Sequence, residues 1–524
     1  MLALVRRSWM RILGWRRTET PQGSRTLRPC SGNGRAALQA DPILRQGELK
    51  FGRHTVVIAF LLCSSCAYGQ TAPSSPDHPW HAPAERKVED ETKGIRNSGF
   101  SVDSAKTYSL AELVDLAESH NPDTRLAWER ARSQAAALGI ARSELYPTLV
   151  AVALSQTTRD EILFGNAFIR QTVQDFAVAV ELNYTVFDFG GRSGRINAAK
   201  AESLASNLAF NDVHRKIIYQ VQRAYYGLLN ASGQEDAAQA NLANAKTVQQ
   251  AAEERLNNGL ATLPDVLEAR SATAEAEYEL QAVLGAEEVA RGDLATSLGT
   301  SPSTTIHVQE LKDLAIPDSI GDNVEAAIDR ALAQRPDLMQ QVAAIRAANA
   351  RIKEARSAFY PSLNMTARPT GESLFGLQQN LAWAQTSDLT GGVILNLNWT
   401  LFDGGARKNN LVRAQADEQA AQAQASSTRD QIANEVWAAY SNLNTAFRQH
   451  QSAQALLEAS SKSYEAALES YNYGLRNLLD VTAAQRTFAQ ARSADVLART
   501  QVLNALVDLA FRTGDSVQPR PTVP

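Results

Sequence analysis

The stretch Asn183-Tyr-Thr-Val-Phe-Asp188-Phe-Gly190-Gly191-Arg192 decides the architecture of this chain, because a near copy returns as Asn398-Trp-Thr-Leu-Phe-Asp403-Gly404-Gly405-Ala-Arg407. Each copy ends a run of alternating apolar and polar residues and precedes a long helical pattern. Glycine allows the backbone angles that a strand needs where it turns sharply into a helix. The sequence therefore predicts two strand-to-helix turns, formed by Asp188, Gly190 and Gly191 and by Asp403, Gly404 and Gly405.

The two turns belong to a tandem duplication. Asn121-Pro122 returns as Arg335-Pro336, and Tyr146-Pro147 returns as Tyr360-Pro361, with the same separation in both cases. Gly259 returns as Gly474 at almost the same separation again. A constant separation over this length predicts one order of elements used twice. We expect repeat 1 at 107–300, a linker at 301–322, repeat 2 at 323–515 and a tail at 516–524.

Each repeat is predicted to be mainly helical. Residues 191–256 contain no proline, and a helix of this length would extend for about 100 Å. A second long helix is predicted at 263–298, so that Gly259 lies at the turn of a helical hairpin. Before the hairpin, residues 148–158 and 172–187 are typical of strands, with a loop expected at 159–171.

The predicted strands have one apolar face. Large apolar side chains alternate with small or polar ones in both repeats. Four strands per chain cannot close a barrel, and open strand edges are not tolerated in a bilayer. The pattern is typical of a membrane β-barrel shared between several copies, although a half-buried sheet in a soluble domain also alternates. The apolar set is Phe176, Val178, Val180, Leu182, Tyr184 and Val186 in repeat 1, and Val393, Leu395, Leu397, Trp399 and Leu401 in repeat 2.

The N-terminal region is typical of an exported protein. The apolar run 55–63 follows basic residues and precedes Ala67-Tyr-Gly69, a small-residue cleavage pattern. We expect residues 1–69 to be an N-terminal extension and a signal peptide. Cleavage there would remove all three cysteines. A lipid anchor on Cys66 is the alternative. Residues 70–106, rich in proline, serine and charge, are predicted to be a disordered linker.

The charge distribution argues against nucleic-acid binding. Residues 1–69 hold eleven Lys and Arg against three Asp and Glu, and the rest of the chain holds 41 against 53, a net charge of −12. No HExxH motif occurs, and the CxxC formed by Cys63 and Cys66 lies within the predicted signal peptide. Gly190, Gly191 and Gly194 lack the spacing of a nucleotide-binding loop. The sequence predicts neither an enzyme nor a bound cofactor or metal.

The duplicated pattern resembles the TolC-like family of outer-membrane efflux and secretion channels over about residues 107–515. The resemblance depends on the duplication, the two Tyr-Pro sites, the two strand-to-helix turns and the two Gly-x5-Asp-Val helix turns. It implies a homotrimer with one shared 12-stranded barrel in outer-membrane lipid and an α-helical tunnel in the periplasm. It also implies two kinds of partner, a periplasmic adaptor protein and an inner-membrane pump or ABC transporter.

The resemblance assigns roles to the two helix turns. Gly259, Leu260, Gly474 and Leu475 match the tip that contacts the adaptor. Asp265, Tyr471, Arg476 and Asp480 match residues that hold a gate shut, although Pro264 and Ala483 depart from the family pattern. Helix capping alone also explains the turns, with glycines ending one helix and Thr262 and Asn477 beginning the next.

Function follows from the resemblance. It implies a passive exit duct of a tripartite efflux or type I secretion system, opened when adaptor and pump dock. The alternative is a periplasmic helical-hairpin interaction protein, similar to an adaptor, without a membrane barrel. The sequence does not specify the cargo.

Overall fold

The computed structural model describes residues 85–94, 102–103, 105–309, 311, 314, 316, 323–378 and 381–515. The predicted signal peptide with Cys66 and the predicted tail lie outside these residues. Helix α1 (Glu85–Gly94) belongs to a unit separate from the rest of the chain. The predicted disordered linker is wrong for the residues of this helix. Strong helix formers such as Glu, Lys and Arg make up most of the segment, and a glycine ends the helix.

Repeat 1 contains the predicted pair of strands and then the predicted long helical hairpin. It contains β1 (Thr107–Tyr108), α2 (Leu110–His120), α3 (Pro122–Ser143), β2 (Thr148–Phe164), β3 (Ala167–Phe187), α4 (Gly191–Asn257) and α5 (Leu263–Ser297).

Repeat 2 uses the same order again. It contains β4 (His307–Val308), α6 (Val324–Gln334), α7 (Pro336–Ser357), β5 (Ser362–Ala367), β6 (Thr370–Gln378), β7 (Ala384–Thr390), β8 (Val393–Asn398), α8 (Ala406–Asn472) and α9 (Leu478–Thr513). Helices α4 and α8 both have 67 residues. Strand β4, within the predicted linker, pairs in parallel with β1 and so joins the beginnings of the two repeats.

The main sheet has four antiparallel strands, of which two are interrupted. Strand β3 pairs with β2 on one side and with both β5 and β6 on the other. Strands β8 and β7 continue the sheet beyond β5 and β6. The interruptions lie at Arg368–Pro369 and Gly391–Gly392, and proline has no N–H to donate to a neighbouring strand. Counted through these breaks, the sheet has the four strands that the sequence predicts.

The predicted loop at 159–171 is wrong. Strands β2 and β3 stay paired from Thr148↔Asn183 to Phe164↔Ala167, with only Gly165 and Asn166 between them. Gly165 has φ +64°, the angle that the first position of a tight type II′ hairpin turn requires. Glu161 and Arg170 face each other as an ion pair of 3.7 Å, and such opposite charges stabilise paired strands. Residues 159–171 therefore form the distal end of a β-hairpin rather than a loop.

The face assignment is confirmed for β3. In the single chain Phe176, Val178 and Val180 are exposed, while the alternating residues Ala177 and Ala179 are buried. On the polar face, hydrogen bonds join side chains of neighbouring strands. Thr185 donates a hydrogen bond to Asn364 at 3.0 Å, and Thr366 donates one to Asn183 at 3.1 Å. On β8 the apolar residues Val393, Leu395 and Leu397 are more than half exposed, and so is Ile394 on the opposite face, so exposure does not distinguish the two faces of this edge strand.

Close contact between the repeats fixes the beginning of α4 on α7. A Cβ atom on Gly194 would lie 2.8 Å from the backbone nitrogen of Glu354 and 2.9 Å from its Cα. On Gly191 it would lie 2.8 Å from the Ser357 hydroxyl. These two glycines let the long helix of repeat 1 lie against the backbone of repeat 2 directly below the sheet.

A buried charge network joins the repeats further along. Arg335 is 4% exposed and binds Asp337 through two hydrogen bonds of 2.6 and 3.1 Å. It also binds Glu435 at 2.8 Å, and Glu435 is bound in turn by Arg512 at 3.0 Å. Arg215, 1% exposed, donates to the Phe511 carbonyl at 2.6 Å. At the corresponding position of repeat 1, Asn121 makes an uncharged contact to the Ser297 carbonyl at 3.0 Å.

This network gives the second repeat a sensitivity to acid. Burial alone would raise the pKa of Asp337, but the hydrogen bonds and charge of Arg335 outweigh burial and lower it. Arg335 lowers the pKa of Glu435 in the same way, again against burial. Both groups therefore stabilise the fold at neutral pH, and this stabilisation is lost as the pH falls through their lowered pKa values.

We predict that Gly194→Ala destabilises the protein by about 1–3 kcal/mol, because the new methyl group meets backbone atoms that cannot move aside. The midpoint of heat-induced loss of helical circular dichroism measures this. Gly285→Ala is the control, since Gly285 is also helical and has no atom within 4 Å of the added Cβ. It should raise stability by up to about 1 kcal/mol. Equal midpoints for the two variants would contradict the close contact.

Candidate functional site

The ends of the two helical hairpins form the candidate site. Hairpin 1 consists of α4 and α5, joined by tip 1 (258–262); hairpin 2 consists of α8 and α9, joined by tip 2 (473–477). Directly behind the tips the two hairpins share one apolar core. Its buried members are Val248, Ala252, Val266, Ala269, Tyr464, Ala467, Tyr471, Leu478, Val481 and Phe488.

Both tips begin with the same helix-ending motif. Gly259 has φ +74° and Gly474 has φ +77°, which places them in the left-handed region. The following leucine donates its N–H back to a carbonyl of the helix, Leu260 to Arg255 at 2.8 Å and Leu475 to Ser470 at 2.9 Å. The two leucines are 67% and 79% exposed in the single chain. The residues predicted to contact an adaptor are therefore surface residues at the ends of the hairpins.

The two acidic residues that follow the tips have different environments. Asp265 accepts hydrogen bonds from the Thr262 backbone at 2.8 Å and from the Thr262 hydroxyl at 2.7 Å. These bonds, the backbone one first, lower the pKa of Asp265. Asp480 donates its own N–H to the Asn477 side chain at 2.9 Å, and its exposed carboxylate has no bond to any described residue.

The remaining gate residues also differ. Tyr471 is 4% exposed, its hydroxyl has no partner within the described chain, and burial raises its pKa. Arg476 is exposed in tip 2. The structure thus places Asp265 and Tyr471 close enough for the charge of one to affect the pKa of the other, whereas Arg476 and Asp480 lie at the surface.

Sequence reasoning missed Arg255. Its guanidinium donates to the carbonyls of Tyr471 at 2.8 Å and Asn472 at 3.3 Å, and its Cζ lies 4.7 Å from the centre of the Tyr471 ring. A signal was present, because arginine in the last turn before a helix-ending glycine commonly binds free helix carbonyls. The sequence could not show that these carbonyls belong to the other hairpin.

The strand-to-helix turns hold the opposite ends of the hairpins. Asp188 accepts the Arg192 N–H at 2.6 Å, and Asp403 accepts the Arg407 N–H at 3.0 Å. Each aspartate therefore satisfies an N–H of the first turn of a 67-residue helix. The Arg407 side chain also binds Asp403 at 2.8 Å.

The glycines of these turns are required for different physical reasons. Gly190, Gly404 and Gly405 have φ between +65° and +93°, where glycine is favoured. Gly191 is instead required by its close packing on Ser357. In the position of Gly404, repeat 1 has Phe189 at φ +51°, whose ring stacks on Tyr360 at 5.0 Å.

Within the described residues, no group of three or more His, Cys, Asp or Glu side chains could hold a metal ion. None of the helices described is both long and apolar enough to cross a membrane.

The family model for "Outer membrane efflux protein" matches residues 113–300 and 327–515, which are the two repeats. The chain belongs to this family. It is an outer-membrane protein of a channel-forming class rather than a member of an enzyme family. The membership also favours the channel over the alternative of an adaptor-like hairpin protein.

Individual relatives agree with this assignment. Protein CyaE of Bordetella pertussis is 29% identical over 408 residues, covering 78% of this chain and 84% of the relative. Outer membrane protein OprJ of Pseudomonas aeruginosa is 26% identical, covering 88% and 94%. The solved structure of the outer-membrane channel OprN has the same fold, with a TM-score of 0.69 at 22% identity, covering 86% of this chain and 99% of that one.

We predict that Asp265→Ala loosens tip 1 and that Asp480→Ala does not loosen tip 2. Loss of a capping carboxylate costs about 1 kcal/mol, or about fivefold faster hydrogen exchange at the Thr262 amide. Exchange at Asn477 should stay unchanged, because the Asp480 carboxylate caps nothing. In the wild type, protection of Thr262 should persist below the usual carboxylate range and fall only when the lowered pKa of Asp265 is passed. Protection of Thr262 that is insensitive to Asp265→Ala would refute the cap.

Proposed function

We propose that this protein is the passive exit duct of a tripartite efflux or type I secretion system. Three copies form one 12-stranded barrel in the outer membrane and one helical tunnel in the periplasm. The observation that carries this proposal is the four-stranded sheet. It has an exposed apolar face and two edges, along β2 and along β7 and β8, that pair with no described residue. Such edges need partner strands in hydrocarbon, and copies of the chain can provide them.

The hairpins give the duct its length. Helix α4 and helix α8, each of 67 residues, extend for about 100 Å from the sheet to the tips. Transport energy comes from an inner-membrane pump or ABC transporter, and a periplasmic adaptor docks at the exposed Leu260 and Leu475. The cargo is set by these partners rather than by the duct.

The tips act as the gate. Asp480, with no bond from its carboxylate within the described chain, is available to form a ring of three carboxylates around the common axis. Arg476, exposed in tip 2, is available to bind a neighbouring copy. Tyr471, buried in the apolar core that both hairpins share, and Asp265, which caps the start of α5, complete the proposed gate.

Assembly tests the proposal directly. The mature protein, extracted in detergent from outer-membrane fractions, should have the mass of a trimer and migrate differently before and after heating. A stable monomer with its full content of β-structure would refute the shared barrel. A protein found only in the periplasmic fraction would favour the adaptor-like alternative instead.

We predict that arginine destabilises the barrel at one position of β8 and is tolerated at the adjacent position. Leu397→Arg places a charge on the apolar face and should destabilise the assembled barrel by about 2–4 kcal/mol if the position lies near mid-bilayer. Asn396→Arg is the matched control, because it lies on the polar face opposite Asn364 and would meet water. Thermal dissociation of the trimer measures both. Equal damage from the two variants would mean that the sheet does not face lipid.

We further predict that Arg476→Ser raises single-channel conductance in planar bilayers and that Asp480→Asn reduces cation preference. An exposed ion pair is worth about 0.2–1 kcal/mol, and three copies could shift an opening equilibrium from several-fold to over a hundredfold. Both variants should still form trimers, since the sheet and the upper helices supply most contacts. Unaltered conductance and selectivity in intact trimers would refute a gating role for both side chains.

A further inference from the structure

Two helix ends of the same electrostatic sign meet at the tips. Helices α4 and α8 run in the same direction, from the sheet to the tips, and both end beside the shared apolar core. The last carbonyls of each helix carry partial negative charge and lack partners within the helix. Helix α4 has Arg255 in its last turn, whereas α8 has no basic residue in its last turn.

Arg255 lies in the last turn of α4 and binds the end of α8. Its side chain leaves α4 and reaches the last two carbonyls of α8, those of Tyr471 and Asn472, with the guanidinium lying over the Tyr471 ring. The Arg255 Nε atom is buried as well. Hydrogen bonds from a charged donor are about twice as strong as neutral ones, and a guanidinium also binds an aromatic face.

This contact lies nearer the tips than the other polar contacts between the hairpins in the described chain. Gln485 reaches Asn241 at 3.4 Å, and Arg486 pairs with Glu275 at 3.2 Å, both further along the helices. Near tip 1, Pro264 provides no side-chain donor. Separation of hairpin 2 from hairpin 1 at the tips must therefore break the contacts of Arg255 first.

We propose that Arg255 is the positioning residue that holds hairpin 2 against hairpin 1 in the closed state. The inference rests on the gated channel proposed above and names the residue that biases the gate within each chain. Only repeat 1 provides such an arginine. Repeat 2 has Ser470 at the corresponding position, with the same spacing from its tip glycine. A trimer therefore has three such links, within chains, and none of this kind between chains.

The test compares Arg255→Gln with Arg270→Gln in assembled trimers in planar bilayers. Arg270 is a matched control, because it binds Glu253 at 2.9 Å within hairpin 1 and has no bond to hairpin 2 among the described contacts. Arg255→Gln should shift the opening equilibrium by about tenfold or more, since three charge-assisted links are lost. Arg270→Gln should conduct as the wild type does. Arg255→Lys should be intermediate, because it keeps the charge and loses the planar fork.

The measurements must also distinguish a positioning role of Arg255 from an effect of the substitution on folding. Trimer dissociation temperature and helical circular dichroism should be equal in both glutamine variants, so that a change in conductance alone marks the link. Wild-type conductance of Arg255→Gln, alongside raised conductance of Arg476→Ser, would overturn this inference and keep the gate at the tips. Wild-type conductance of all tip variants would overturn the proposed gate and this inference with it.

Discussion

Unpaired backbone at the two edges of the sheet is the constraint from which the rest of this architecture follows. One chain provides four strands, and the outer N–H and C=O groups of β2 and of β7 and β8 have no partner among the described residues. In hydrocarbon each such group would cost several kcal/mol, so the strands are useful only when copies of the chain complete the sheet. In the proposed trimer the same symmetry arranges the hairpins that leave the sheet. Their surfaces that are exposed in the single chain would then contact neighbouring copies or line the duct.

Much of the fold could be predicted from the sequence because the duplication supplies each signal twice. The helix bounds at Gly259 and Gly474 and the strand face at Val178 are local patterns, and local patterns survive in the folded chain. The loop predicted at 159–171 failed for a different reason. The strands continue through this segment because residues pair across them, as Glu161 does with Arg170, and such pairing is not a local pattern.

The candidate site was predictable only in part. Spacing places an acid in the first turn after each N-cap, but the residue at the cap decides what the acid does. Thr262 donates to Asp265 and engages its carboxylate, whereas Asn477 accepts from the Asp480 backbone and leaves that carboxylate free. Threonine and asparagine side chains can both donate and accept, so this difference depends on the geometry of each turn and could not be derived from the residue types alone. The partners of Arg255 could not be derived either, since they are backbone carbonyls of the other repeat, and no local pattern links them to this arginine.

The network around Arg335 has a consequence for how the two repeats diverge after duplication. Asn121 and Arg335 descend from one position, yet only the second carries charge into the protein interior. A substitution of Asp337 or Glu435 would remove one of the two counterions of the buried Arg335, while the uncharged contacts of Asn121 tolerate change more readily. In the proposed trimer, evolutionarily constrained and permissive joints would therefore alternate around the axis. Selection can adjust the permissive joints to a new partner while the constrained ones keep the trimer in register.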